Sequence, residues 1–237
     1  MSTVEATRPI RGWERYAWVA GIVYIIALVA ESVVAVGVGP NLNNSAAKMT
    51  NALYEHRTRL VVIACLSVVY AVMFVIYLWS LYNLLRGDPG RPQILSSLVL
   101  VGGVLFIALH AVSDIGITGL VGAKLASFGH HHDQGVTYAL FLVTYALDSV
   151  GDVFGSLFAL AAGLLVFKSG VFPRWLGWVL IAVGTLFFLQ GFGLGGVIGS
   201  FGLVLDIIGF VLFLVFVLVT SVISFRRGDP GPTRPLA

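Results

Sequence analysis

The apolar residues of the chain fall into six long blocks with short polar or glycine-rich breaks between them. A helix needs about 20 predominantly apolar residues to cross roughly 30 Å of hydrocarbon at 1.5 Å per residue. The segments that satisfy this are 16–38, 59–84, 94–121, 136–167, 172–190 and 201–225. The fourth is too long for a single crossing, so it is expected to project beyond the lipid. Of the breaks, 39–58 is polar and Asn-rich and is the one long enough to fold back, 86–91 is a Gly/Pro turn, and 191–200 is nearly all Gly and apolar. The pattern predicts an all-α, polytopic membrane bundle. It is a single six-helix transmembrane domain over 1–237, with short disordered cytoplasmic tails at 1–14 and 226–237.

Composition narrows the class further. Of 237 residues 58% are apolar and 11% charged, and the mean hydropathy is +0.97. A soluble domain carries about 25% charged residues, so this chain cannot cover a water-facing surface. A soluble enzyme, a disordered linker and a nucleic-acid reader are excluded. The net charge of +3 reports loop orientation before it reports a partner, because cytoplasmic loops collect Lys and Arg. Arg8, Arg11, Arg15, Arg86, Arg91, Lys168, Arg174, Arg226, Arg227 and Arg234 fall on one side, and Lys48, Arg57, Arg59 and Lys124 on the other. Ten against four predicts that both termini are cytoplasmic. Ala35, Val36 and Gly37 would suit a signal-peptidase site, but a signal core runs about 7 to 15 residues and this span is longer. The single cysteine, Cys65, lies in an apolar run, so neither an internal disulfide nor a metal knuckle can form.

Five of the eleven acidic residues lie inside the apolar segments: Glu31, Asp114, Asp148, Asp152 and Asp206, joined there by His110. A charge at the centre of a membrane helix costs about 2.5 to 3.5 kcal/mol on insertion scales, and such residues face the bundle interior and mark functional pathways. Counting from the cytoplasmic charge bounding each span puts Glu31, His110, Asp148 with Asp152, Gln190 and Asp206 all roughly 24 to 30 Å up the helix. Asp114 lies one turn further out, and the second span adds Ser67 and Tyr70. Residues three, four and seven apart share a helix face. His110, Asp114 and Thr118 therefore form one stripe, and Tyr145, Asp148, Asp152 and Ser156 another with Gly155 beside it. These stripes predict a water-accessible cavity near the outer face, walled by the first, third, fourth, fifth and sixth spans. Carboxylates so close together need a cation or a shared proton to compensate them.

Other motifs carry less. His130, His131, His132 and Asp133 form a run between the third and fourth spans. Such a run can bind a transition metal, capturing a cation or sensing acid pH at the cavity mouth if its loop folds over, but it equally suits a solvated loop. Gly191 to Gly196 has the letters of a dinucleotide fingerprint without the strand and helix that the motif requires, so no nucleotide is expected. Gly191, Gly195 and Gly199 at spacing four instead suit close helix packing or an outer hinge. Asp148 and Asp152 match the DxxxD element of membrane prenyltransferases, but only one copy is present and no Lys or Arg stands beside it. One intramembrane histidine excludes bis-histidine haem and lacks the His pair of intramembrane metallohydrolases. One divalent ion on His110 and Asp152, or weakly on His130 and His132, stays open because carboxylates also ligate zinc.

Two stretches resemble a known family. These are residues 52–86, ending in Leu78-Trp79-Ser80-Leu81-Tyr82-Asn83-Leu84-Leu85-Arg86, and 155–189, which contains Lys168-Ser169-Gly170-Val171-Phe172-Pro173-Arg174-Trp175-Leu176-Gly177-Trp178. They are similar to an uncharacterised bacterial six-helix membrane family of the DUF4386 type, and the second stretch resembles its turn between helices 4 and 5. The resemblance implies six spans and a bacterial inner membrane, and no activity. From the residues themselves, Lys168 and Arg174 hold this hairpin in the cytoplasm, Pro173 starts a helix where a missing N–H costs nothing, and Trp175 and Trp178 anchor it at the interface.

The residues support three functional expectations. The first is a non-enzymatic protein that binds a cation, a proton or a small polar solute in the outward cavity, for transport or sensing, through Glu31, His110, Asp114, Asp148, Asp152, Gln190 and Asp206. No internal repeat relates the two halves, which weakens the transport version. The second is an intramembrane metal-dependent hydrolase acting on lipid. The third is an accessory protein whose acids pair across helices or with a partner membrane subunit.

Overall fold

The structure, a computed structural model, describes residues 16–38, 45–86, 94–115, 122–131, 134–191 and 200–227, with their side chains except those of 122, 125, 131, 200–203, 206 and 227. Every element among them is helical: α1 (Val19–Ala35), α2 (Ala46–Glu55), α3 (Arg57–Leu85), α4 (Ile94–Ala111), α5 (Gly122–His131), α6 (Gln134–Ser169), α7 (Arg174–Gly191) and α8 (Ser200–Arg227). The segments containing α3, α4, α6, α7 and α8 are long and apolar enough to cross a membrane, and α1 is a shorter apolar helix of 17 residues. The chain is thus a multi-pass helical membrane protein, as its hydrophobic pattern predicts. At 36 residues α6 is about 54 Å long, more than the roughly 30 Å of a hydrocarbon core.

The six apolar helices close into a ring, α1 against α3, α3 against α4, α4 against α6, α6 against α7, α7 against α8, and α8 back against α1. Lipid tails are as apolar as leucine, so packing and close backbone approach hold such a ring rather than water exclusion. Glycines supply the approach. A Cβ on Gly102 of α4 would lie 2.8 Å from the Phe158 backbone nitrogen of α6, and one on Gly163 of α6 would lie 3.0 Å from the Gly177 carbonyl of α7. Valines and Trp79 of α3 face outward to the lipid, among them Val68, Val72 and Val75.

Each of the six ring helices sends one aromatic ring into the centre: Tyr24, Phe74, Phe106, Phe158, Phe187 and Phe213. Phe213 contacts all five others, and Phe74 four of them, with centroid distances of 5.1 Å to Tyr24, 5.9 Å to Phe106, 6.1 Å to Phe158 and 6.0 Å to Phe213. Phe187 closes the set at 5.7 Å from Phe106 and 5.9 Å from Phe213. Most of these contacts are edge-on or tilted, the arrangements that ring quadrupoles favour. On the far side of this layer from the acids, Tyr77 and Thr220 hydrogen-bond at 2.8 Å.

The structure differs from the pattern mainly in the breaks. The polar segment 39–58 contains a helix, α2, whose N-cap Ser45 accepts a hydrogen bond from the Lys48 amide at 3.3 Å. The break after the third span contains α5. Met49 and Leu53 of α2 and Ala126 of α5 bury against Val38, Leu60, Ile63 and Phe141, a second small core that caps one end of the ring. The third span ends its α-helix at Ala111 and widens into a π turn over 112–115; residues 116–121 lie outside those described. In the hairpin between α6 and α7, Gly170 takes a φ of +63°, which only glycine adopts freely. Pro173 accepts from the Leu176 amide at 3.0 Å as α7 starts, while Trp175 and Trp178 stay exposed.

Candidate functional site: an acid-lined cavity at the capped end

Above the aromatic layer the ring encloses a cavity of about 420 Å³. All six ring helices line it, with Tyr24 and Ser32 from α1, Tyr70 from α3, Phe106, His110 and, just past its end, Asp114 from α4, Asp148 and Asp152 from α6, Phe187 and Gln190 from α7, and Ile207 and Phe210 from α8. A second chamber of about 220 Å³ adjoins it, lined by Glu31, Thr144 and Tyr145 and capped by Leu53 of α2. Asp114 and Asp148 line both chambers and so stand at their junction. The structure thus brings together Glu31, His110, Asp114, Asp148, Asp152 and Gln190. Asp206 lies on α8, and its side chain is outside those described, as are His132, Thr118, Gly195 and Gly199.

Helix geometry sets the pairings. His110 Nδ1 lies 2.9 Å from the Phe106 carbonyl one turn earlier. A carbonyl can only accept, so Nδ1 carries a hydrogen and Nε2 is turned to the cavity. There Nε2 faces Asp152 Oδ1 at 3.5 Å, an ion pair when the imidazole is protonated. The imidazole fits because Gly151 leaves room: a Cβ there would lie 2.6 Å from His110 Cε1 and Nδ1. Asp114 sits in the π turn, an irregularity common at functional sites, and its Oδ2 accepts the hydroxyl hydrogen of Tyr70. Ser113 beside it donates to the Thr144 carbonyl at 3.5 Å.

Two acceptors remain unmet. Asp148 Oδ1 and Gln190 Oε1 are buried and have no hydrogen-bond partner among the described residues. No Lys or Arg lines either chamber among those residues, so His110 is the lone basic group. The site is rich in acceptors and poor in donors, over a floor of aromatic rings.

Sequence reasoning finds the acids by depth and misses two things. Tyr70 registers only as mild polarity, yet it is a direct partner of Asp114. The aromatic floor goes unread, although each ring lies one or two turns deeper on its helix than the polar residue above it, as Phe106 is to His110 and Phe187 to Gln190. That offset is the signal that would have found it.

His130 lines neither chamber. Its ring stacks on Tyr54 of α2 at 4.3 Å, part of the contact between α5 and α2. Among the described residues no three His, Cys, Asp or Glu side chains converge closely enough to hold a metal ion. Gly191 does pack closely, since a Cβ there would lie 2.7 Å from the Ser149 carbonyl of α6.

Compared with known protein families, residues 19–220 match the model described as a domain of unknown function, DUF4386. The comparisons with curated proteins and with solved structures give no match.

Proposed function

As a member of the DUF4386 family of unknown function, the chain has its chemistry only in its own residues, and we propose that its cavity binds a small organic cation bearing an ammonium group. The observation that carries this is the pair of unmet buried acceptors, Asp148 Oδ1 and Gln190 Oε1, in a cavity without Lys or Arg among the described residues. Buried polar atoms require partners, and an ammonium supplies both the donors and the positive charge that the carboxylates lack. Tyr24, Phe106, Phe187 and Phe210 suit the rest of such a ligand, because ring faces attract cations and pack alkyl groups. A volume near 420 Å³ falls within the range of about 300–1,000 Å³ usual for small-ligand pockets.

In the mechanism that follows, a proton and the ammonium compete for the same charge. With the cavity empty of cation, His110 holds a proton toward Asp152 and partly neutralises the acids. An arriving ammonium bonds Asp148 and Gln190 and favours release of that proton to the open side. Asp114, held by Tyr70, stays fixed at the junction, and Glu31 extends the acidic surface into the second chamber. The aromatic layer would keep the cation from passing further, which suits the outward state of a transporter or the binding state of a sensor. On this reading the protein lies in a bacterial inner membrane with the capped end outside and the termini in the cytoplasm, as the distribution of Lys and Arg supports.

The test is thermal unfolding of the purified protein in mild detergent with alkylammonium ions from methylammonium to tetraethylammonium. Divalent salts serve as the competing arm for the metal reading. Wild type should be stabilised by one size class of ammonium, and Asp148→Asn and Asp152→Asn should each lose at least tenfold in apparent affinity. Stabilisation by none of the ammonium ions, or one that survives both substitutions, would defeat the proposal.

A further inference from the structure

A further cavity, of about 510 Å³, lies outside the ring between the start of α3 and α5. Arg57, Thr58, Val61 and Val62 line it from α3, and Ala123, Lys124 and Ser127 from α5. Its two halves differ in chemistry. Arg57, Thr58 and Lys124 form an exposed, donor-rich upper edge, while Val61 and Val62, 40% and 43% exposed, form an apolar lower wall on a membrane-spanning helix.

The upper edge is organised in advance. Arg57 donates from a terminal guanidinium nitrogen to the Tyr54 carbonyl at 3.0 Å and lies 4.7 Å over the Tyr54 ring. That ring in turn stacks on His130 of α5. Arg57 is therefore held between α2, α3 and α5 with further N–H groups left to donate. Lys124 adds a second cation from α5, and no acidic residue lines the cavity among the described residues. Ser127 gives its hydroxyl hydrogen to the Ala123 carbonyl at 3.1 Å, so Thr58 is the hydroxyl donor available.

From this arrangement we infer that the groove is a binding site for an anionic phospholipid. Its phosphate bridges Arg57, Lys124 and Thr58, and its acyl chains lie along Val61 and Val62. Charge decides against a zwitterionic lipid, since among the described residues the groove offers two cations and no carboxylate for a headgroup ammonium. The apolar wall decides against free phosphate, which would have no use for it. The site is separate from the carboxylate cavity and stands or falls independently of it. Because α5 packs on α2, α3 and α6, a lipid joining α3 to α5 fastens the cap that covers the acidic chambers.

The experiment is native mass spectrometry of the full-length protein released from detergent. Lipids that stay bound are counted with phosphatidylglycerol and with phosphatidylcholine of the same acyl chains. Wild type should retain one phosphatidylglycerol in preference to phosphatidylcholine by about tenfold, and Arg57→Ala with Lys124→Ala should abolish the preference. Lys48→Ala with Arg59→Ala, which removes equal charge at the same end, should keep it. Lys124→Gln alone, at an exposed position of α5, serves if the double variant fails to fold, and should reduce the preference severalfold. An equal loss in the Lys48/Arg59 variant, an unchanged preference after the Arg57 or Lys124 substitutions, or displacement of the lipid by millimolar inorganic phosphate would overturn the assignment.

Discussion

Gly151 has no side chain, and His110 occupies the space that one would fill. Adding a methyl group would bring it within 2.6 Å of the imidazole, and the imidazole, being mobile at its χ angles, is what yields. Gly151→Ala should therefore turn His110 away from the Phe106 carbonyl and from Asp152 while the backbone stays in place. Thermal stability in detergent should fall by less than about 1.5 kcal/mol, near the low end of overpacking costs. Binding of the stabilising ammonium ion should tighten, as it should in His110→Ala, because the competing proton is no longer held toward Asp152. A large stability loss with unchanged binding would mean that α6, not the histidine, had moved. Sequence alone brings His110 and Asp152 to one depth. It cannot show that a glycine one residue before Asp152 makes the room, because depth counting says nothing about which neighbour a bare backbone faces.

Between elements, the same substitution meets a different obstacle. Gly102 of α4 faces the backbone of α6, with the Phe158 nitrogen 2.8 Å and the Phe154 carbonyl 3.0 Å from the position of an added Cβ. Backbone cannot rotate aside, so Gly102→Ala must separate α4 from α6. The expected cost is about 1–3 kcal/mol, read as a drop in unfolding temperature, and it should exceed that of Gly151→Ala. Because Asp148 and Asp152 stand on α6 further up, the separation shifts the proposed partners of the ammonium, and its stabilising response should weaken as well. At this scale the six spans are legible in the sequence, since a run of some 20 apolar residues has few other uses. The cap helices are not, because α2 and α5 have ten residues each and mixed composition. Their signs are local: Ser45 capping α2, and Met49 and Leu53 one turn apart on its buried face. A hydropathy window averages such short patterns away.

For the molecule as a whole, the two ends of the ring are built differently, and the difference has a direction. One end carries the cap, the acids and the phosphate-binding groove; the other carries the Lys168 to Arg174 hairpin with Trp175 and Trp178 exposed beside it, and Trp79 near the end of α3. An outward-opening cavity makes sense of the proposed function only if the capped end faces away from the cytoplasm, which the excess of Lys and Arg at the opposite end predicts. The chain's single cysteine makes this directly testable. With Cys65 replaced by serine, a cysteine at Lys48 on α2 should react with a membrane-impermeant maleimide on intact cells. A cysteine at Ser169, the last residue of α6, should react only after the membrane is opened. The reverse pattern would put the acidic cavity on the cytoplasmic side. The aromatic layer would then face solutes arriving from within, and the ammonium ligand would have to be sought among cytoplasmic metabolites.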